Sequence, residues 1–208
     1  MADYMWNCSL LTPTAAGPPV LVAMNTVGGR TLTGMEQVVG NAAGYWTMQY
    51  QGITVFSDDQ IREWNHLQGG LSGRAKTVLI PVFDSLRGPK LPVTATWDIA
   101  SSPGAGTGYI LVAGDVANLH PGMHFTVAER LYRITGFPDP KVMVGSDARY
   151  HVQIRPPLRE ALAIGTALAF DSTMAFRCRL ASDDAMSGLL LDVWKVGNSP
   201  SVSFVEDV

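Results

Sequence analysis

Residues 57–82, SDDQIREWNHLQGGLSGRAKTVLIPV, decide how this chain is read. Ser57 followed three residues later by Gln60 is a capping box, in which each side chain satisfies a backbone N–H that the first helical turn leaves over. Asp58 and Asp59 place negative charge in that turn, where the helix dipole favours it. Ile61, Trp64 and Leu67 recur at helical spacing and make one apolar stripe. Gly69 and Gly70 are expected to stop the helix, which therefore spans 57–68. Thr77–Val82 then reads as a strand. It lacks polar–apolar alternation, which predicts burial on both faces.

Outward from this stretch the chain reads as short strands and turns. Tyr45 to Tyr50 alternates with period two, setting Trp46, Met48 and Tyr50 on one face and Tyr45, Thr47 and Gln49 on the other. Val20–Met24 is a short apolar strand. Residues 1–19, with Pro13, Gly17, Pro18 and Pro19, read as a strand-poor lead-in or arm. Further on, strands are expected at Tyr109–Val112, His124–Val127, Leu131–Thr135, Tyr150–Ile154, Thr166–Phe170, Phe176–Leu180, Leu189–Val196 and Val202–Val205. Leu158–Ile164 reads as a short helical turn started by Pro156-Pro157. The fold class is therefore mainly β: a β-sandwich flanked by one α-helix, with a second small β-barrel or sandwich module. Turn and linker chemistry at 87–92 and 101–106 marks a composition change. The preferred division places residues 1–95 plus 172–208 in the sandwich and 96–171 in an inserted module. Two domains in simple succession is the alternative.

Composition narrows the function. At 208 residues the chain is long enough to bury a core without staples. Hydrophobic residues make up 47% and charged residues 16%. That balance fits either a β-rich core or apolar surface covered by partners. A net charge of −3, with 15 scattered Lys and Arg, offers no general attraction to a nucleic-acid backbone. Cys8 and Cys178 share no metal-type spacing and are expected to be unpaired thiols in a reducing compartment, with a single long-range disulfide as the alternative. No basic, apolar leader opens the sequence, and no apolar run approaches the about 20 residues of a membrane helix. Assembly in a cytoplasm is the expectation.

Each motif that could carry chemistry has a plainer reading. Gly69–Thr77 resembles a phosphate loop superficially, but Ala75 precedes Lys76, and the order is helix, loop, strand. A phosphate loop needs strand, loop, helix, so that backbone N–H groups converge on the anion. Ser72 lies between glycines outside any nucleophile elbow. His120 and His124 have a spacing that ligates zinc on a helix, but Pro121-Gly122 forces a turn between them. Gly104–Gly108 precedes a strand, so a linker is favoured over a dinucleotide site. Asp58-Asp59 belongs to the helix start and Asp183-Asp184 to a turn. Cys178 alternates with Phe176 and Leu180 on a core face and is expected to be inert. Trp46, Trp64 and Trp194 sit in periodic segments and read as core. Trp97 is the best candidate for a glycan contact. No catalytic, cofactor-binding or metal-ligating residue is assigned.

The order of these elements resembles a known family. Tyr45–Gly52, the helix carrying Trp64, and Gly73-Arg74-Ala75-Lys76 leading into Val78–Val82 look like minor tail and distal-tail proteins of long-tailed bacteriophages and gene-transfer particles. Leu131–Thr135, Ile154–Arg159, Met174–Leu180 and Val202–Glu206 are similar to the same group. The resemblance implies a tail-tube-like sandwich and a homo-oligomeric ring, commonly hexameric, at the distal end of the virion tail. Such a ring joins the tail tube to the hub or baseplate and leaves a lumen through which DNA passes without specific binding. It implies no catalytic residue, no cofactor and no membrane partner. The alternatives are a carbohydrate- or receptor-binding β module of the tail tip and, from another class, a β-rich hydrolase whose site is assembled from dispersed residues.

Overall fold

The alternating run around Trp46 becomes the longest strand of the fold. In a computed structural model the described residues are 2–30, 36–39, 44–83, 97–99, 103–113, 119–137, 142–144, 147–170, 173–191 and 198–208. The first half holds β1 (Tyr4–Met5), β2 (Pro13–Ala16), β3 (Val20–Ala23), β4 (Thr26–Arg30), β5 (Glu36–Val39), β6 (Gly44–Ile53), α1 (Asp58–Leu71) and β7 (Val78–Pro81). The second half holds β8 (Trp97–Ile99), β9 (Tyr109–Ala113), β10 (His124–Val127), β11 (Arg130–Gly136), β12 (Val142–Val144), β13 (Asp147–Arg155), β14 (Ala167–Leu168), β15 (Ala175–Leu180) and β16 (Val202–Glu206). The protein is mainly β with one helix among the described residues.

A large mixed sheet runs β1-β7-β15-β16-β6-β2, with β3 beside β6 along the same edge as β2. Only the β1–β7 pair is parallel. This first sheet takes its strands from residues 4–81 and 175–206. The second takes its strands from 97–168 in the order β10-β11-β13-β9-β8-β14, with β12 on β13. It curls back on itself, because Ala169, just past β14, exchanges both backbone hydrogen bonds with Thr126 of β10 at 2.9 Å. β4 and β5 form a separate hairpin.

The period-two reading of β6 holds: Trp46, Met48 and Tyr50 are buried and their neighbours face outward. On the buried face Trp6, Tyr50 and Phe204 meet edge to face, with ring centroids 5.2–5.5 Å apart. Such pairs add about 0.5–1.5 kcal/mol each beyond area burial. Helix α1 lies on this same face, and Trp64, Leu67 and Leu71 join the same core. The capping box is formed as expected: Ser57 Oγ accepts from Gln60 N–H, and Gln60 Oε1 accepts from Ser57 N–H.

Four expectations need correction. The helix does not stop at 68 but runs through Gly69 and Gly70 to Leu71. Burial of Leu71 extends the apolar stripe by one more turn, and the chain leaves through left-handed Ser72 (φ 49°) and Gly73 (φ 67°). Gly70 serves close packing instead, since a Cβ there would lie 2.6 Å from the Tyr4 ring. Second, β7 is not buried on both faces. Val78 and Ile80 are fully buried while Leu79 and Pro81 are half-buried, because the other face of this sheet carries no covering layer among the described residues. Third, the lead-in is part of the sheet. β1 pairs with β7, β2 pairs with β6, and Trp6 and Leu11 are fully buried. Pro13 is accommodated because β2 is an edge strand. Fourth, 158–164 forms no helix. The Leu158 and Leu162 amides donate to Thr107 and Pro103 carbonyls, not to the preceding turn, and both side chains enter the core of the second sheet.

The expected strands at 109–112, 124–127, 131–135, 150–154, 176–180 and 202–205 are all present, and the 166–170 strand shrinks to Ala167–Leu168. Of the expected strand at 189–196, Leu189 and Leu190 are not strand, and 192–196 lie outside the described residues.

Candidate functional site

Among the described residues the first sheet buries one face and leaves the other open. On the open side β6 presents Thr47 and Gln49, β16 presents Ser203 and Val205, and β15 presents Arg179. These follow from strand alternation, since each lies between neighbours that point into the core. A groove of about 420 Å³ runs over Thr47, Gln49, Ser203 and Val205, walled by Pro18 and Val20. A second, of about 670 Å³, lies at the end of β15 and β16 between Arg179 and the loop carrying Ser72 and Arg74. Ala181 and Val205 line both, so the two adjoin. Positive and negative groups are matched within this surface. Asp183 accepts from the Arg74 backbone N–H at 2.9 Å and faces its guanidinium at 3.5 Å. Arg179 is held by Asp207 at 2.6 Å. Charge on this surface is therefore close to balanced, while the lining, with Pro18, Val20, Ala181 and Val205, is more apolar than polar.

The two sheets meet at a joint built by the β10–β11 hairpin. Ala128 and Glu129 form its two-residue turn with φ 50° and 60°, the left-handed pair that a tight hairpin requires. Glu129 O accepts from the Arg177 N–H of β15, and its carboxylate accepts from the Ala2 N–H. Arg130 donates to the Asp207 carbonyl oxygen. Trp46 sends its indole N–H to the Leu131 carbonyl at 2.7 Å, while the His124 ring meets Trp46 edge-on at 5.2 Å and Arg133 lies over it at 5.6 Å. At the centre is Glu206, whose side chain is wholly buried. Its Oε2 accepts from the Trp46 backbone N–H at 3.1 Å and faces Arg159 at 3.5 Å. Arg159 also donates to the Gly44 carbonyl.

The sequence candidates are dispersed. His66 is exposed on α1 against the Tyr4 ring, His120 is exposed at the turn before β10, and His151 lies on β13 beside Tyr109. His124 is buried, so the turn at Pro121-Gly122 does separate the two histidines. Among the described residues no three His, Cys, Asp or Glu side chains come together to hold a metal ion. Gly69–Thr77 spans the C-terminal end of α1 and the turn after it, where carbonyls and not N–H groups face outward. Asp59 pairs with Arg62 at 3.1 Å, both exposed. Cys178 is buried in the core, and burial pushes its thiol well above the ordinary value; Cys8 is half-buried and pushed up to about 11. Both are free thiols. Trp46 and Trp64 are core. The backbone of Trp97 opens β8 opposite Leu168; its side chain, like the whole of Trp194, lies outside the described residues.

The residues that sequence reasoning missed are those of the joint. One signal was available: Val202, Phe204 and Glu206 alternate onto a single buried face, which puts a carboxylate where a hydrophobe belongs. Among the described residues no helix is long and apolar enough to cross a membrane. No family model and no curated protein matches the chain.

Proposed function

We propose that this protein is a structural subunit that assembles laterally with copies of itself into a ring, as the distal-tail adaptor of a bacteriophage tail. In this reading the ring joins the tail tube to the hub or baseplate, and DNA passes through its lumen. The observation that carries the proposal is the open face of the first sheet, lined by Thr47, Gln49, Ser203, Val205 and Arg179 and bounded by edge strands β1 and β2/β3. An open sheet with free edges is a surface that pairs readily with another chain. A contact from one such surface to a different surface of the next copy closes into a ring when the rotation fits. The near-neutral, slightly acidic character of the chain suits a conduit, since the DNA backbone meets no dense basic lining.

Sedimentation of the purified chain tests this, alone and as Val205→Arg. Val205 is half-buried on the open face and outside the core, so the substitution leaves the fold intact and adds an unpaired charge to the contact. An assembly that sediments as a defined oligomer and is broken by Val205→Arg supports the reading. A monomer at every concentration, or an oligomer unaffected by the substitution, refutes lateral assembly through this face.

A further inference from the structure

The β4–β5 hairpin grows out of the first sheet without joining it. β3 and β6 pair antiparallel from Val20↔Thr47 to Ala23↔Gly44. β4 and β5 pair antiparallel from Thr26↔Val39 to Arg30↔Glu36. The second pair follows the first along the same two stretches of chain, so both belong to one long hairpin rooted in the sheet. β16 supports β6 only as far as Val205↔Thr47. β4 and β5 form a two-stranded sheet of their own, and among the described elements neither has an extended contact with any other. A two-stranded hairpin alone is marginal in water and needs a third strand or a packing layer. At roughly 3.3 Å per residue the stretch from Ala23 to Arg30 reaches about 23 Å, most of the width of a small domain.

We propose that this hairpin is a docking arm, which seats in the groove over Thr47, Gln49, Ser203 and Val205 of a second copy of the chain. The inference rests on lateral assembly and names the two surfaces that meet. Charge selects the occupant. Among the described residues the lining of that groove holds no ionisable side chain, and in the groove beside it Arg179 is held by Asp207 and Arg74 by Asp183. A polyanion therefore finds no cation to neutralise there, whereas a neutral segment with apolar residues fits the apolar lining. Residues 24–39, MNTVGGRTLTGMEQVV, are such a segment. Their one cation, Arg30, and one anion, Glu36, are register partners, and Val27 is opposite Val38.

The arm does not fill the groove of its own chain. Neither β4 nor β5 lies against β6 or β16, and the register of the hairpin runs on past Gly44, away from Thr47. One chain thus carries an arm and a groove that it does not bring together. Arm into groove is a head-to-tail contact, the kind that repeats around a ring when the rotation closes. It also supplies the hairpin with the packing layer that it lacks within one chain.

Cross-linking between two full-length variants tests it, with Cys8→Ser in both. One copy carries Val38→Cys or Val39→Cys, which sample the two faces of β5. The other carries Ser203→Cys on the open face. After mixing and mild oxidation, a disulfide-linked dimer is expected at several times the yield of either variant alone, with mass spectrometry placing the link between the arm and residue 203. Sedimentation of the same samples separates the two layers of the argument. A defined oligomer that gives no arm-to-203 link with either arm variant overturns the docking arm and leaves lateral assembly standing. A chain that stays monomeric and gives no link overturns both. A chain carrying Val38→Cys and Ser203→Cys together, or Val39→Cys and Ser203→Cys, that links only within itself also overturns the proposal, because the arm then fills its own groove.

Discussion

Gly69 and Gly70 are adjacent, both lie in the last turn of α1, and replacing each by alanine is expected to act in opposite directions. Glycine in a helix is less favourable than alanine by about 0.5–1 kcal/mol, because it has more backbone freedom to lose. A methyl group on Gly69 meets nothing within 4 Å, so Gly69→Ala should gain that amount. A methyl group on Gly70 would lie 2.6 Å from Tyr4 Cζ and 2.7 Å from its Cε1 and Oη. The Tyr4 ring is fixed there by the edge of His66 at 5.7 Å and by Lys76 Nζ at 5.5 Å. Displacing it costs about 1–3 kcal/mol, as overpacking does. Set against the helix gain, Gly70→Ala should be about 1 kcal/mol less stable than wild type. At this chain length about 1 kcal/mol moves Tm by about 2–4 °C. Calorimetry should therefore show Gly69→Ala melting higher than wild type and Gly70→Ala lower. In a Tyr4→Ala background the clash is gone, and Gly70→Ala should turn stabilising. If Gly70→Ala raises Tm as much as Gly69→Ala does with Tyr4 in place, then β1 does not pack on the helix as described.

Three further outcomes are expected. Ser57→Ala removes the cap that accepts from Gln60 N–H and should lower stability by about 1 kcal/mol in a denaturant titration. Ala128→Gly relieves a left-handed alanine (φ 50°) that is exposed at its turn; it should raise stability by about 1 kcal/mol and leave the sheet joint unchanged by NMR. Cys8, pushed up to about 11 by burial, should stay a neutral thiol and react slowly with a disulfide reagent at pH 8, while Cys178 reacts only on unfolding. Fast labelling of either in the native protein would contradict the packing.

Local signals were legible and long-range ones were not. The Ser57–Gln60 box and the Tyr45–Tyr50 alternation rest on contacts within a few residues, and both form as read. The end of α1 is not legible from its glycines, because Gly70 is required by Tyr4, a residue 66 positions away in sequence. The lead-in looked like an arm because its prolines argue against a central strand, and only the sheet shows β2 to be an edge. Pro156-Pro157 has the form of a helix start, yet the amides of Leu158 and Leu162 bond to residues 107 and 103. The joint is the hardest case. Glu206, Arg159, Trp46 and Glu129 come from four separate stretches, and no spacing connects them. The composition of the open face is visible as the outward half of each alternating strand, but that no described element covers it depends on where α1 and the second sheet settle.

Under the proposed function this sheet is shared between identical copies around a channel. Native mass spectrometry of the purified chain, with negative-stain images of the same sample, measures it most directly. Lateral assembly should give one closed species of fixed copy number, hexameric in the simplest case, seen end-on as a ring with a central hole. A single chain mass at every concentration, with no ring in the images, would contradict it.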